Sequence, residues 1–220
     1  IYTLSLHDAL PILVDIYKMG GMKLIVAGLA LMAMSTVGVN VIAIFKLNYM
    51  VPAIGAVVGG IGWISAATGL LTIQTYRREF KKAVLAGLIG LGAKSLELYL
   101  IYGFYKNNFL NQAFVSEKVL FLAYVSDIAM LAVYMTVSEG GAQLMAKYGE
   151  IREGRRLRSM AEIGAGIILI CLIVVPFGHI FDGLPNIFIS GIVAFTVLIC
   201  QIIICFGMDR IYKTVDGRKI

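Results

Sequence analysis

The sequence predicts an all-α, polytopic integral membrane protein of six transmembrane helices with both termini cytoplasmic. Three observations lead there. Apolar runs of about the length needed to cross a bilayer occur six times, and the basic residues gather in alternate connections between them. Of 220 residues, 60% are hydrophobic and 15% charged, with a mean hydropathy of +0.88. A water-soluble domain of this length needs more polar surface, so hydrocarbon is the main solvent of this chain.

The runs are expected at Leu24–Phe45, Met50–Thr72, Ala83–Phe104, Val119–Ser138, Ile163–Ile180 and Ile187–Met208, each near the ~20 residues that span ~30 Å of hydrocarbon. Ahead of them, residues 1–18 begin without methionine and differ in composition from the rest of the chain. They resemble translated sequencing-adapter read-through, a non-native leader. This puts the native start at Met19 or Met22 and makes residues 19–220 a single six-helix domain. If they are native, they form an interfacial helix.

The first run continues apolar beyond signal-peptide length and has a poor cleavage site, so it reads as a retained helix. Its one amide, Asn40, is expected to bond a neighbouring helix or to face a pathway. In the second run Gly55, Gly59, Gly62, Ala66 and Gly69 recur at spacings of four and three and lie along one helical face. Such a small-residue seam lets another backbone approach closely. A glycine-lined passage is the alternative. Trp63 lies too deep for an interfacial anchor and is expected to pack internally.

The third run carries the stripe Gly87, Gly90, Lys94, Glu97, Ile101 and Tyr105, and the fourth carries Leu120, Tyr124, Asp127, Leu131, Tyr134 and Ser138. A charge at mid-bilayer costs at least about 2.5–3.5 kcal/mol, so it faces protein or water and has a partner. Counting residues from the connection puts Lys94 and Asp127 at nearly equal depth on antiparallel neighbours. Fully ionised, Lys94, Glu97 and Asp127 leave one negative charge over. The surplus carboxylate must stay protonated, reach water or hold a cation. Two readings stand: a structural Lys94–Asp127 staple beside a protonated or hydrogen-bonded Glu97, or a transport or proton-relay site in which Glu97 is the working group.

The segment Lys106–Lys118 is amide-rich and expected to lie in the outer interface. Gly140–Met160, the longest internal connection, is expected to extend the fourth helix into the cytoplasm, and either to attract anionic lipid at about 1 kcal/mol per basic residue or to dock a protein partner. Pro176 should bend or end the fifth helix. His179 and Asp182 after it form a local pair without further ligands. Gln201, deep in the sixth run, is an expected interhelical hydrogen bond or pathway residue.

Arg77, Arg78, Lys81 and Lys82, then Lys147 to Arg158, then Arg210 to Lys219 occupy alternate connections and the C-terminal end. That asymmetry is the positive-inside pattern, and it sets both termini in the cytoplasm of a plasma (inner) membrane of bacterial type. It also accounts for the net charge of +6 without nucleic acid as a partner. Cys171, Cys200 and Cys205 sit inside apolar runs as small hydrophobes, so neither a metal nor a cofactor is expected.

No catalytic or nucleotide-binding motif is present in the sequence, and the chain is not expected to be an enzyme. The remaining classes are a transporter or transporter subunit moving a proton or small polar solute, with Lys94, Glu97, Asp127, Asn40, Tyr124 and Gln201 along its path, and a non-transporting anchor, sensor or assembly subunit. In topology and length the chain resembles the substrate-binding subunits of energy-coupling-factor vitamin transporters. Their first helix usually shows an Ala-x-x-x-Ala patch; here Leu31 and Met34 stand four beyond Ala27 and Ala30, so the motif is not carried.

Overall fold

The computed structural model describes residues 20–35, 50–75, 77–107, 112–147, 149–177 and 186–216. These residues form six helices and no strand: α1 Gly20–Ser35, then α2 Met50–Ile73, α3 Arg78–Asn107, α4 Gln112–Lys147, α5 Ile151–Phe177 and α6 Asn186–Asp216. Four helices contain stretches long and apolar enough to cross a membrane: Ile54–Ile73, Arg78–Gly103, Phe121–Lys147 and Phe195–Lys213. Helix α1 is a shorter apolar helix, and α5 spends its first turns on Arg152, Arg155, Arg156 and Arg158 before becoming apolar. Residues 1–18, Asn40, His179 and Asp182 lie outside the described residues.

The helices outrun the apolar segments that announce them. Helix α3 starts five residues before Ala83, and α4 extends the expected Val119–Ser138 at both ends. Hydropathy marks only the part of a helix that sits in hydrocarbon. Arginine, lysine and glutamate are good helix formers and carry the same helix onward into water.

Gly140–Met160 is accordingly not an extended connection. Helix α4 continues to Lys147, and α5 begins at Ile151. Between them Gly149 takes φ +87°. Its N–H donates to Ala146 O at 3.1 Å, and the Glu150 N–H donates to Met145 O at 2.9 Å. That pair of bonds is a Schellman cap, and glycine supplies the left-handed residue it needs. The reversal lays α5 back on α4 so closely that a Cβ at Gly154 would meet Ala142 O at 2.8 Å.

Helix α4 is central. Val133, Tyr134 and Val137 on it are fully buried, and it packs against α3, α5 and α6. Of the four apolar spans, that of α2 is the most enclosed, between α1 and α3. The α1–α2 contact is made by backbone. A Cβ on Gly28 would come within 2.5 Å of Gly62 O, and one on Gly62 within 2.7 Å of Gly28 O. One repeat away, Gly21 and Gly69 meet in the same way. The predicted seam of α2 thus has a matching pair on α1, also seven residues apart.

The basic segments share one end of the bundle. Phe80, among the arginines and lysines that open α3, covers Gly140 of α4, and Ile211 of α6 covers Gly141. The Lys23 ammonium stands 4.6 Å from the centre of the Tyr212 ring, joining the start of α1 to the end of α6. The outer surface between the two ends is apolar: Ile54, Val57, Ile61 and Ile64 of α2, Leu85, Leu88 and Leu96 of α3, and Ile163, Ile170 and Ile173 of α5 are all exposed. An apolar belt of this extent marks a surface that lies in lipid.

Gly62→Ala should destabilise the protein by roughly 1–3 kcal/mol, because its methyl group meets backbone that cannot move aside. A Cβ at Gly92 meets nothing within 4 Å, so Gly92→Ala should be neutral or stabilising by up to ~1 kcal/mol. Thermal unfolding in detergent compares the two. Equal transition temperatures would contradict the backbone contact.

Candidate functional site

The polar interior is a layer to which the first four helices contribute. From α1, the Ser35 hydroxyl donates to the Gly55 carbonyl of α2. Below it Gly59 has no side chain, and that space is used: a Cβ there would lie 2.8 Å from Ser35 Oγ and 2.9 Å from Lys94 Cε. The Lys94 stem therefore lies against the glycine face of α2. From Gly87 to Lys94 the α3 stripe read from the sequence faces α2, with Gly87 under Leu70 and Gly90 under the Trp63 ring. Trp63 is buried and donates from Nε1 to Ser126 Oγ at 2.9 Å, which ties α2 to α4.

Lys94 Nζ lies 3.0 and 2.9 Å from the two carboxylate oxygens of Glu97. Both side chains are nearly buried, at 12% and 8% exposure. This corrects the expected Lys94–Asp127 staple. Residues three apart on one helix already face each other, so Lys94 and Glu97 pair with no demand on interhelical geometry. Asp127 forms no ion pair among the described residues, yet it lies within electrostatic reach of both Lys94 and Glu97. It is half-buried on α4. Tyr124, one turn before it, is also half-buried and close enough to sense its charge. The surplus carboxylate of the three charges is thus Asp127 rather than Glu97.

Toward the basic end a second polar group follows on α4 and α6. Tyr134 and Ser138 are spaced seven and eleven residues beyond Asp127, on the same face of α4. Gln201 is fully buried on α6, and its Nε2 lies 3.8 Å from Met130 Sδ. Tyr134 Oη, Ser138 Oγ and Gln201 Oε1 are buried with no hydrogen-bond partner within the described residues. Buried polar atoms left in this state are the usual holders of internal water. The sequence marked Gln201 and put Tyr134 and Ser138 in a stripe, but nothing in it joined α6 to α4.

Other hydroxyls are absorbed locally. Thr68, Ser95, Thr136 and Thr196 donate to carbonyls one turn back on their own helices. Among the described residues no group of three or more metal-ligating side chains occurs. Cys171, Cys200 and Cys205 are free thiols.

The chemistry available is therefore a neutralised pair, an unpaired carboxylate beside it, and a line of buried hydroxyl and amide groups leading away. Removing Lys94 alone (Lys94→Met) should cost about 3–5 kcal/mol, since Glu97 is left without its counter-charge. Lys94→Met with Glu97→Met should regain much of that. Double-mutant cycles in detergent should give a larger coupling for Lys94 with Glu97 than for Lys94 with Asp127. The reverse order would restore the interhelical staple.

No family model, no characterised protein and no solved structure matches this chain.

Proposed function

We propose that the chain is a six-span protein of a bacterial-type plasma (inner) membrane, with both termini and the basic end cytoplasmic. We further propose that it moves a proton or a small polar or cationic solute through the site at Lys94, Glu97 and Asp127. Positive charge retained on the cytoplasmic side supports the orientation, given that the basic ends of α3, α5 and α6 lie together. Lys94 stands sixteen residues beyond Arg78 on α3, about 24 Å along the axis, which is deep within the apolar belt.

One observation carries the transport reading: Lys94 and Glu97 already neutralise each other, and a second carboxylate shares their site. A structural ion pair needs one acid. The additional one is costly in hydrocarbon unless it binds something. Asp127 takes the role that the sequence assigned to Glu97. Binding a proton or cation there removes the net charge of the cluster, so the packing of α4 on α3 responds to occupancy. Tyr134, Gln201 and Ser138 then form the step between Asp127 and the cytoplasmic end, and Tyr124 lies on the other side. A second reading, a non-transporting subunit that anchors a partner helix, is favoured by a different feature. An apolar groove of about 510 Å³ separates α1 from α6, lined by Val26, Ala30, Met34, Leu198 and Ile202.

Two experiments test these statements. With Cys171, Cys200 and Cys205 replaced, single cysteines in Asn107–Gln112 and in Arg152–Arg158 should react with an impermeant thiol reagent from opposite sides of the membrane. Reaction from one side only would overturn the topology. In liposomes under an imposed pH gradient, the wild-type protein should acidify or alkalinise the lumen or take up a cationic solute. Asp127→Asn should lose that flux while folding is retained, and Glu97→Gln should impair folding before flux. Absence of wild-type flux under every gradient, with a helical protein co-purifying, would establish the anchoring reading instead.

A further inference from the structure

We propose that the groove among the basic ends of α4, α5 and α6 is a binding site for one anionic phospholipid. The groove encloses about 480 Å³. Toward the basic ends of α5 and α6 its lining is charged, with Arg156, Arg210 and Lys213 beside Glu153 and Asp209. Deeper along the same two helices its wall is apolar, formed by Leu157, Met160, Ile203 and Phe206. The charged end and the apolar wall suit the two halves of an amphiphile.

Charge decides which amphiphile. Arg210 Nη1 lies 3.2 Å from Glu153 Oε2, and Lys213 Nζ lies 2.6 Å from Asp209 Oδ2. Both acids of the groove are therefore already matched by a base. Arg156 forms no ion pair among the described residues and leaves the groove one positive charge over. It also lies on the helix turn that carries the exposed Arg152 and Arg155, so the local field favours an anion. A guanidinium with its donors free binds a phosphodiester at two oxygens. Arg210 and Lys213 are exposed enough to turn from their acids toward the same phosphate.

The apolar wall decides between a lipid and a free phosphate. Ile203 and Phe206 are exposed and continue along α6 into Ile199 and Ile202 of the lipid-facing belt. An acyl chain leaving the groove runs onto that surface without crossing a polar boundary. A free phosphate or an acidic peptide makes no use of that wall. The inference rests on the basic end lying at a membrane surface; it does not require that anything is transported.

The test is lipid retention, which is independent of flux. The protein is reconstituted in vesicles of equal parts phosphatidylglycerol and phosphatidylcholine, re-extracted in mild detergent, and its bound lipid counted by native mass spectrometry. The wild-type chain should keep one phosphatidylglycerol in preference to phosphatidylcholine. Arg156→Gln should lower that retention roughly fivefold, the factor expected for the loss of one interfacial basic contact. Ile203→Ser should lower it as well. Arg78→Gln, a basic change on α3 outside the groove, should leave it unchanged and serves as the control for folding and total charge. Equal losses from Arg156→Gln and Arg78→Gln would reduce the effect to diffuse attraction and overturn the site. Full retention by Ile203→Ser, or displacement of the lipid by millimolar inorganic phosphate, would show that only a phosphate is held and overturn the lipid assignment. Retention of neither lipid by the wild-type chain would also overturn it.

Discussion

Hydrocarbon offers no hydrogen-bond partner, and the interior of this protein is arranged around that lack. Helical backbone satisfies itself residue by residue, which is why the described chain is helical almost throughout. Side chains follow the same requirement at two ranges. Threonine and serine on outward faces close onto their own helix, as at Thr68 and Ser95. Two polar groups inside close across helices, Trp63 onto Ser126 and Ser35 onto Gly55. Lys94 finds its counter-charge one turn along at Glu97. That local solution leaves Asp127 without an ion pair, and the functional reading begins from this asymmetry.

Packing obeys the same solvent. Between helices in lipid there is little hydrophobic gain, since lipid tails are as apolar as leucine, so close van der Waals contact has to supply the attraction. Gly21 and Gly28 against Gly69 and Gly62 bring two backbones together along a full seven-residue repeat. Gly90 does the same for the Trp63 ring, and Gly59 makes space for the Lys94 stem. The small residues of α2 therefore serve two purposes on one face: approach to α1, and access for a charged chain from α3. Large apolar residues, which a soluble bundle would turn inward, are left on the outside in a belt.

At the basic end, caps and aromatic contacts hold the helices in register. Gly149 reverses the chain, Phe80 and Ile211 cover Gly140 and Gly141, and Lys23 meets Tyr212. Arg158 adds an ion pair to Glu162 on its own helix and a longer one, 3.9 Å, to Glu139 of α4. Such exposed pairs contribute little to stability individually. They keep charge concentrated where the groove of Arg156 opens. Among the described residues, the charges between that end and Lys106, Glu117 and Lys118 are Lys94, Glu97 and Asp127, with the unpartnered polar atoms of Tyr134, Ser138 and Gln201 between this layer and the basic end.

The sequence by itself determined the class of solvent, the helical character and the side on which basic charge collects, because these depend on composition and on a periodicity local to each helix. It also determined the glycine face of α2, since spacings of three and four fix a face whatever lies against it. Helix ends were legible only to the edge of the apolar segments, because hydropathy does not register a helix continuing into water. Which helices meet was not legible. Nothing in Gly21 or Gly28 names α2 as their partner, and nothing in Gln201 names α4. The choice between Glu97 and Asp127 as counter-ion of Lys94 was likewise left to tertiary structure. Equal depth on neighbouring helices permits an ion pair, but a distance of three residues on one helix enforces proximity. The shorter constraint prevails, and Asp127 becomes the carboxylate left over.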